Sequence, residues 1–214
     1  MILLEKGEVF NFEGAFRGLR NPLDSWHLAD SEVKGAVKAF HMGPKDLNLA
    51  QRMIGAGTDE SKFMRQIFVS VDITAPFYWW KEFDTYKIGT VANSCSTMHK
   101  IHAKEFTLDD FSHEHLSDGE YGNKELLKCI VTCLNVAREN YLRTKDKEYW
   151  YQMIQLLPSS YNQLRTIDLN YEVLLNIYFA RKNHKLDEWS GEKGFCKWIE
   201  KLPYMSEFLG LEEE

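Results

Sequence analysis

The sequence predicts an α+β fold, with a central antiparallel or mixed sheet flanked by helices and a long αα-hairpin. Apolar and polar residues alternate over 67–74, the period of a strand with one buried face. Residues 123–142 repeat apolar side chains at helical spacing, including Leu126 and Leu134. A second helical pattern over 145–157 ends at Pro158. The two helices form a hairpin whose apolar face is expected to pack on the sheet or on a partner subunit.

Size and composition favour one globular domain over residues 1–214. The chain has 214 residues, of which 44% are hydrophobic and 14% aromatic, enough for a substantial core. Its net charge of −6 argues against a general nucleic-acid binder, which would present a basic face. The sequence has no run of 18 apolar residues and no signal-peptide pattern at its start, so we expect neither a membrane span nor secretion, and a cytoplasmic location.

The first 66 residues predict a strand or hairpin followed by helices. Residues 1–14 have the strand or hairpin pattern, and 16–30 are expected to be an irregular connection. Arg17 and Arg20 in that connection either reach a ligand or lie in solvent, and solvent is favoured. Pro44 begins a helix that is closed by Gly55 and Gly57. A second short helix is expected to end near residue 66.

The stretch 67–99 joins the predicted strand to a helix and then to a polar loop. An Ala-Pro step at 75–76 ends the strand, and proline at the first helical position favours a helix over 77–87. Gly89 ends that helix, and small hydroxyl residues follow over 90–97. One interpretation is a core strand, an aromatic helix and a plain loop. The other is an anion site, because hydroxyl groups and backbone N–H groups beside a lysine suit a phosphate.

The C-terminal third predicts a second core strand over 163–169 and a helix capped by Asn170 or Asp168. A helix start is expected at Thr107, and a final helix over 194–202. The acidic tail over 210–214 is expected to fray.

Cysteines and histidines give no metal or redox motif. Cys129 and Cys133 lie four residues apart on a predicted apolar helix, which favours small core residues over ligands. Four of the seven histidines occur as two pairs, at 99 and 102 and at 113 and 115, without further ligands at zinc spacing. Exposed loop histidines are therefore favoured over a metal site.

The segment 74–96, TAPFYWWKEFDTYKIGTVANSCS, resembles the signature region of the flavin-dependent thymidylate synthases, the ThyX family. In that family an Ala-Pro step leads into a helix ending in R-H-R, followed by x-x-S and a short S-x-R loop. The matching positions in this chain are Lys81-Glu82 for an Arg-Gln pair, Thr85-Tyr86-Lys87 for R-H-R, Thr90 for the serine, and Cys95 or Ser96 for the loop serine.

The segment 156–189 is similar to a second part of the family pattern. There Leu-Pro precedes a strand, N-x-R opens a helix, and N-x-x-x-x-R ends it with a histidine nearby. The matching positions are Leu157-Pro158, Asn170, Asn176 with Arg181, and His184. The two segments cover about a third of the chain, in the same order as in the family.

The resemblance implies conversion of dUMP to dTMP with methylenetetrahydrofolate, with FAD reduced by NADPH as the hydride source. It places the substrate nucleotide beside Lys81, Glu82, Ser94, Cys95, Ser96 and Arg181. It places the flavin beside Tyr86, Lys87, Asn170, Asn176, Arg181 and His184. It also implies a homotetramer and a ThyX-like α+β fold. No single catalytic residue and no metal ligand is assigned.

Several family cations are missing. Only the last cation of R-H-R is kept, as Lys87, and lysine lacks the planar fork of arginine. The arginine of N-x-R is Glu172 here, which would repel a phosphate at contact distance unless it points away. The family's Glu-His before the strand is Arg65-Gln66, so Arg65 and Lys62 are candidates to restore positive charge. Further arginines are replaced by Ile154 and by Thr97 or Met98.

These departures leave an alternative function open, a nucleotide-binding or protein-binding module of the same fold that has lost the flavin. The aromatic run over 77–80 would stack a base in such a module, although a packed core is the favoured use of these rings.

Overall fold

The computed structural model describes residues 1–36 and 39–211, and it divides into two compact units. Unit 1 comprises Met1–Leu3, Ile73–Thr85 and Asn93–Thr166, and unit 2 comprises Leu4–Asp72, Tyr86–Ala92 and Ile167–Glu214. Four strands each contribute residues to both units: Leu3–Phe10, Phe68–Pro76, Val91–Ser94 and Asn162–Asn170. The single domain expected over 1–214 stays a prediction.

The fold class is α+β, as the sequence predicts. A four-stranded sheet has the order β1-β4-β6-β5, and a two-stranded antiparallel sheet pairs β2 with β3. The strands are β1 (Leu3–Phe10), β2 (Glu32–Lys34), β3 (Ala39–His41), β4 (Phe68–Pro76), β5 (Val91–Ser94) and β6 (Asn162–Asn170).

The described residues also form ten α-helices. They are α1 (Phe12–Arg20), α2 (Pro44–Ala56), α3 (Phe77–Phe83), α4 (Thr97–Lys100), α5 (Asn123–Thr144), α6 (Lys147–Leu156), α7 (Tyr171–Arg181), α8 (Asp187–Ser190), α9 (Phe195–Glu200) and α10 (Met205–Leu209). Short 3-10 helices cover Asn21–Leu23, Trp26–Leu28, Ser61–Gln66 and Leu108–Asp110.

The alternation over 67–74 is confirmed in β4. Ile67, Val69, Val71 and Ile73 are each no more than 1% exposed, whereas Phe68 is 50% exposed. The predicted core strand over 163–169 is likewise present, as β6. The aromatic run that follows β4 is core, because Trp79 and Trp80 are buried on α3 and their rings pack edge-on with centroids 4.9 Å apart.

The helix predicted over 77–87 is shorter than expected. It ends at Phe83, and Tyr86 and Lys87 follow in non-helical backbone. The polar loop expected over 90–97 is also partly regular structure, since Val91–Ser94 forms β5 and Thr97–Lys100 forms α4. Gly89, at φ 76°, supplies the left-handed turn between α3 and β5.

In unit 1, α5 and α6 form the predicted αα-hairpin over a core of their own. Buried residues of this core include Phe111, Leu134 and Met153, each with no exposed surface. The predicted stripe is wrong at Leu126, which is 62% exposed. Cys129 and Cys133 are also exposed, so their prediction as core residues is wrong. The helix buries the face that carries Leu134, and these three side chains point elsewhere because of the 100° step between residues.

In unit 2, the connection predicted to be irregular begins as helix α1. Phe12, Phe16 and Leu19 are buried at spacings of four and three residues, which places them on one helical face. Arg20 is buried, contrary to the favoured solvent position, because Asp46 of α2 accepts a hydrogen bond from its Nε at 2.6 Å. Arg17 is exposed.

The remaining helix predictions differ mainly in their ends. The helix beginning at Pro44 and the capping box at Thr107 are confirmed. The final helix covers Phe195–Glu200, shorter than the predicted 194–202, and α10 follows it without having been predicted. The expected fraying of the tail concerns Glu212–Glu214, which lie outside the described residues. Over 1–36 and 39–211, no helix has both the length and the apolar composition for crossing a membrane.

Candidate functional site

A cavity of about 380 Å³ in unit 1 is lined by some of the residues predicted to contact the nucleotide. Its volume lies in the range of small-molecule sites. Two of the predicted substrate residues line it, Cys95 and Ser96, and both follow strand β5 directly. Lys100, Lys104 and Tyr161 line it as well, together with Asp109 and Asp110, so the cavity holds hydroxyl groups, two cations and two carboxylates.

A hydrogen-bond network fixes the backbone at Cys95. The backbone N–H of Cys95 donates to the carbonyl of Leu164 at 2.9 Å, and Gln163 Nε2 donates to the carbonyl of Cys95 at 2.8 Å. Arg165 Nε donates to Gln163 Oε1 at 2.9 Å, which orients that amide. The Cys95–Ser96 segment is therefore held from the neighbouring strand β6.

Arg165 is itself anchored on α3 and on the turn that follows. Its Nη1 donates to Asp84 Oδ1 at 2.7 Å, and its guanidinium lies 4.2 Å from the centroid of the Trp80 ring. Trp80 Nε1 donates in turn to the carbonyl of Gln163 at 3.0 Å. Arg165 therefore holds residues that line the cavity, such as Gln163, but does not itself line the cavity.

Charged groups in the cavity partly neutralise one another. Lys104 Nζ forms an ion pair with Asp110, a buried residue of the capping box at Thr107. Burial, with Asp110 nearby, raises the pKa of the Tyr161 phenol. Because a raised pKa keeps the phenol protonated at neutral pH, Tyr161 can act as a hydrogen-bond donor there.

Three other predicted substrate residues of unit 1 do not line this cavity. Lys81 and Glu82 lie on α3, where Lys81 is exposed and Glu82 half-buried. Ser94 is the last residue of β5 and is exposed. Among the residues that the structure describes, the cavity lining contains Cys95 and Ser96 from the predicted set.

Arg181 is the centre of a second group of predicted residues, in unit 2. Its Nε donates to the hydroxyl of Tyr86 at 2.9 Å. Its guanidinium lies 5.1 Å from the centroid of the Trp189 ring, and the Tyr86 and Trp189 rings are 6.3 Å apart. His184 packs edge-on to Trp189 at 6.4 Å. Four side chains from different segments thus form one aromatic and cationic cluster.

The other predicted flavin residues differ in their surroundings. Asn170 is buried and caps α7, with Oδ1 accepting from the backbone N–H of Val173 at 3.1 Å. A Cβ at Gly89 would lie 3.0 Å from Asn170 Nδ2, so glycine allows the close approach of this turn. Asn176 is exposed on α7, and Lys87 is exposed next to Tyr86. His184 Nδ1 accepts from the backbone N–H of Leu186 at 3.2 Å, which leaves Nε2 as the protonated nitrogen of a neutral ring.

The charge reversal at Glu172 is compensated within unit 2. Arg65 Nε lies 2.6 Å from Glu172 Oε2, and this carboxylate raises the pKa of Arg65. The hypothesis that Arg65 supplies positive charge near the start of α7 therefore agrees with the geometry. The second carboxylate oxygen, Glu172 Oε1, is buried without a hydrogen-bond partner.

Sequence reasoning missed several residues of these two groups. Trp189 is the last residue of the matched segment 156–189, but it falls on no position of the family motif, and Gln163 and Arg165 were treated only as parts of a strand. On β6 the buried amide of Gln163 and the cation of Arg165 lie two residues apart. Polar side chains at this spacing distinguish such a strand from one that carries only apolar side chains on its buried face. The described residues contain no group of three or more His, Cys, Asp or Glu side chains that could hold a metal ion.

Comparison with known proteins supports the fold and leaves the sequence family open. No protein-family model matches the chain, and no curated protein sequence matches it. ThyX from Helicobacter pylori, solved with FAD and dUMP, is similar with a TM-score of 0.68 at 16% identity, over 97% of this chain and 95% of that chain. A second structure of that enzyme with FAD and dUMP gives the same score and identity over 97% and 96%.

A UMP/dUMP methylase, PolB from Streptomyces cacaoi bound with 5-Br dUMP, is also similar. Its TM-score is 0.60 at 12% identity, over 99% of this chain and 96% of that chain. Similarity at 12–16% identity is evidence of shared fold. The chain therefore has a ThyX-like α+β fold, as the resemblance implies.

Proposed function

We propose that this protein methylates a pyrimidine nucleotide, dUMP to dTMP, with FAD as cofactor and with NADPH and methylenetetrahydrofolate as co-substrates. The observation that carries the proposal is the unit 1 cavity, where the Cys95–Ser96 segment faces Lys100 and Lys104. The fold similarity to enzymes solved with dUMP or 5-Br dUMP supports the nucleotide class. A homo-oligomer, in the family a tetramer, belongs to the same proposal.

The cavity has a donor for each part of a nucleoside monophosphate. Lys100 and the Ser96 hydroxyl suit the phosphate, since a dianion favours cations and hydroxyl donors. Lys104 also binds the phosphate when the phosphate displaces Asp110 from the Lys104–Asp110 ion pair. The protonated Tyr161 phenol and the Gln163 amide suit the carbonyl and imide edge of a uracil ring. Lys81, Glu82 and Ser94 remain proposed substrate contacts without a contact in this cavity.

The unit 2 cluster has the chemistry to hold a flavin. Trp189 and Tyr86 offer aromatic surface, Arg181 and Lys87 offer positive charge, and His184 Nε2 offers a donor. Arg65 neutralises Glu172, which removes the repulsion expected for a diphosphate. When bound, FAD would supply the electron pair for reduction of the transferred carbon. The role proposed for Arg181, Lys87, Asn170, Asn176, Tyr86 and His184 is to bind and orient that cofactor.

A second candidate function is nucleotide binding without flavin, and the engagement of Arg181 favours it. Its Nε is taken by Tyr86, and its guanidinium packs on Trp189. A flavin phosphate would have to displace these contacts. The carboxylate of Glu172, where the family has arginine, also lowers the local positive charge.

The absorbance spectrum of the freshly purified protein separates the two candidates. A band in the flavin region, or uptake of added FAD with quenching of its fluorescence, is expected for the enzyme. Conversion of dUMP to dTMP with all co-substrates, followed by mass spectrometry, then tests the reaction. Protein that takes up no FAD but melts higher with dUMP would support the flavin-free candidate, because a ligand at 100 times its Kd stabilises by about 2.7 kcal/mol. Absence of both effects would contradict both candidates.

Exchanging the charges of one ion pair tests whether the unit 2 cluster binds the cofactor. The double variant R65E/E172R keeps the pair and places arginine where the family has it. We expect it to bind FAD more tightly than the wild type, measured by fluorescence titration. The matched control E172Q removes the negative charge without adding a cation, and should give a smaller gain. Equal FAD affinity in all three proteins would show that residue 172 does not face the cofactor.

A further inference from the structure

A groove between helix α2 and the segment 20–28 has no role in the proposed nucleotide and flavin sites. Its volume is about 440 Å³, within the range of small-molecule sites, and all its lining residues belong to unit 2. We call it the α2 groove. Its lining consists of Arg20, Leu23, Ser25 and Leu28 on one side and of Pro44, Lys45, Asn48, Leu49 and Arg52 on the side of α2.

Buried polar contacts fix the two walls of the α2 groove against each other. Arg20 donates from Nη1 to the carbonyl of Ser25 at 3.3 Å and forms a buried ion pair with Asp46 of α2. The carboxylate of Asp30 accepts from the backbone N–H groups of Lys45 at 2.9 Å and of Asp46 at 3.0 Å. Because both walls are held without a ligand, little ordering would oppose binding there.

Two cations lie at opposite ends of the α2 groove. Lys45 and Arg52 are exposed, and they are separated by seven residues of α2, about 10.5 Å along the helix axis and close to two full turns. They therefore lie on nearly the same side of the helix. Over residues 1–36 and 39–211, neither the Lys45 ammonium nor the Arg52 guanidinium has a hydrogen bond or an ion pair. Leu49 lies between them and is 6% exposed.

Each end of the α2 groove also has a leucine that is about half exposed. Leu28, at 47% exposure, lies near the N-terminal end of α2, because Asp30 follows it by two residues and bonds the backbone of Lys45. Leu23, at 53% exposure, lies near the C-terminal end, because it lines a neighbouring cavity together with Met53. The groove thus combines an apolar centre with a leucine and a free cation at each end.

We propose that the α2 groove binds an elongated aliphatic dicarboxylate, with its chain along the leucines and one carboxylate at each cation. Arg52 can bind a carboxylate through two parallel N–H donors, and Lys45 acts as a point charge. Burial of the methylene groups supplies affinity. A ligand with one carboxylate would instead leave its apolar end beside a cation and remove water from that cation without replacing it. The inference uses residues of unit 2 alone and does not depend on the proposed methylation.

Isothermal titration calorimetry of the full chain with dicarboxylates from hexanedioate to dodecanedioate tests the proposal. We expect the affinity to rise by up to about fourfold for each added methylene until both carboxylates reach their cations, and then to level off. Decanedioate should bind about fivefold more tightly, or more, than decanoate, which has one carboxylate, or decanediol, which has none. Absence of binding throughout the series, or equal affinities for decanedioate and decanoate, would overturn the proposal.

Substitutions at the two cations locate the site. Lys45→Gln and Arg52→Gln should each weaken decanedioate binding about fivefold and decanoate binding less, because decanoate can use the remaining cation. The control is Arg17→Gln, an exposed cation of unit 2 outside the groove, which should leave both affinities unchanged. Melting curves show whether the variants are folded. Equal effects of all three substitutions would indicate attraction by net charge alone and would overturn the proposal.

Competition with dUMP separates this site from the proposed nucleotide site. An excess of dUMP should not displace decanedioate, because the lining of the α2 groove shares no residue with the unit 1 cavity. Displacement by dUMP would assign the binding to the nucleotide cavity and would also overturn the proposal.

Discussion

At the scale of single residues, the buried Arg20–Asp46 ion pair has a large consequence for stability. Both side chains are nearly inaccessible, at 5% and 2% exposure, and Asp46 Oδ2 also accepts from the backbone N–H of Ser31 at 2.9 Å. Removing one partner would leave a buried charge uncompensated. We expect Asp46→Ala to lower the free energy of unfolding by about 3–5 kcal/mol, measured by urea denaturation. The exposed Arg17→Ala should change it by less than about 0.5 kcal/mol, and equal losses would contradict the burial argument.

The same carboxylate predicts a loss of stability in acid. Burial alone would raise the pKa of Asp46, but hydrogen bonds from Ser31 and Arg20 outweigh it and hold the pKa below its usual 3.8. A group with a lowered folded pKa stabilises the protein above its unfolded pKa, and that contribution is lost as the pH falls through the folded value. The free energy of unfolding should therefore fall below about pH 4. In Asp46→Asn this part of the pH dependence should disappear, and an unchanged acid profile would exclude Asp46 as its source.

Gln163 provides a residue-scale test of the proposed nucleotide site. Gln163→Glu keeps the size of the side chain but removes the donor to the Cys95 carbonyl. Because the Gln163 amide is also the proposed contact of the uracil ring, loss of one such hydrogen bond, about 1 kcal/mol, corresponds to roughly fivefold weaker binding of dUMP. Isothermal titration would measure it. The control Asn162→Asp changes a neighbouring side chain of the same cavity, one that bonds Ser112 and not Cys95. Equal loss in both variants would point to added negative charge as the cause.

At the scale of elements, Asn170 is both the N-cap of α7 and a residue of the proposed cofactor site. Asn170 satisfies a free N–H at the start of the helix, so Asn170→Ala should cost about 1 kcal/mol of stability. In a chain of this size that is a fall in Tm of roughly 2–4 °C by scanning calorimetry. Asn170→Asp keeps the acceptor and should retain the stability. Asn176→Ala, on the exposed face of the same helix, should lower neither the free energy of unfolding nor the Tm. A lower Tm in that variant would argue against the helix cap as the cause.

Elements with a regular pattern were predictable from the sequence, and α1 was not. The alternation in β4 and the Asn170 cap follow local rules that the structure keeps. Helix α1 contains Gly14 and Gly18, which lower helix propensity and hide its apolar face. Both glycines have a packing role, since a Cβ would lie 2.3 Å from Asn11 Oδ1 and 2.7 Å from Gln66 Oε1. Tertiary contacts of this kind cannot be recognised from spacing.

The same limit applies to the candidate site. Cys95 and Ser96 were predicted by resemblance to a motif, and the structure puts them in a cavity. Lys104, Tyr161 and Gln163 reach that cavity from distant parts of the chain, where no local pattern marks them. Arg181 was predicted, but its contact with Trp189 was not, because the intervening turn has no regular period.

At the scale of the whole molecule, charge sets the behaviour in solution. The net charge of −6 at pH 7 and the isoelectric point near 5.7 predict a solubility minimum close to pH 5.7, where mutual repulsion vanishes. Turbidity measured against pH at low ionic strength should peak there. Added salt should broaden the peak. A minimum more than about one unit away would mean that local patches, and not net charge, control association.

The Arg65–Glu172 contact also has a consequence for how the sequence can evolve. Changing either position alone would set two like charges 107 residues apart in sequence but adjacent in space, so the two changes are coupled. In proteins of this fold, the charges at positions 65 and 172 should therefore change sign together during evolution. An ancestor with a neutral side chain at one of the two positions would connect the two charge arrangements without a like-charge pair. Reconstructed ancestors would show whether that intermediate came first.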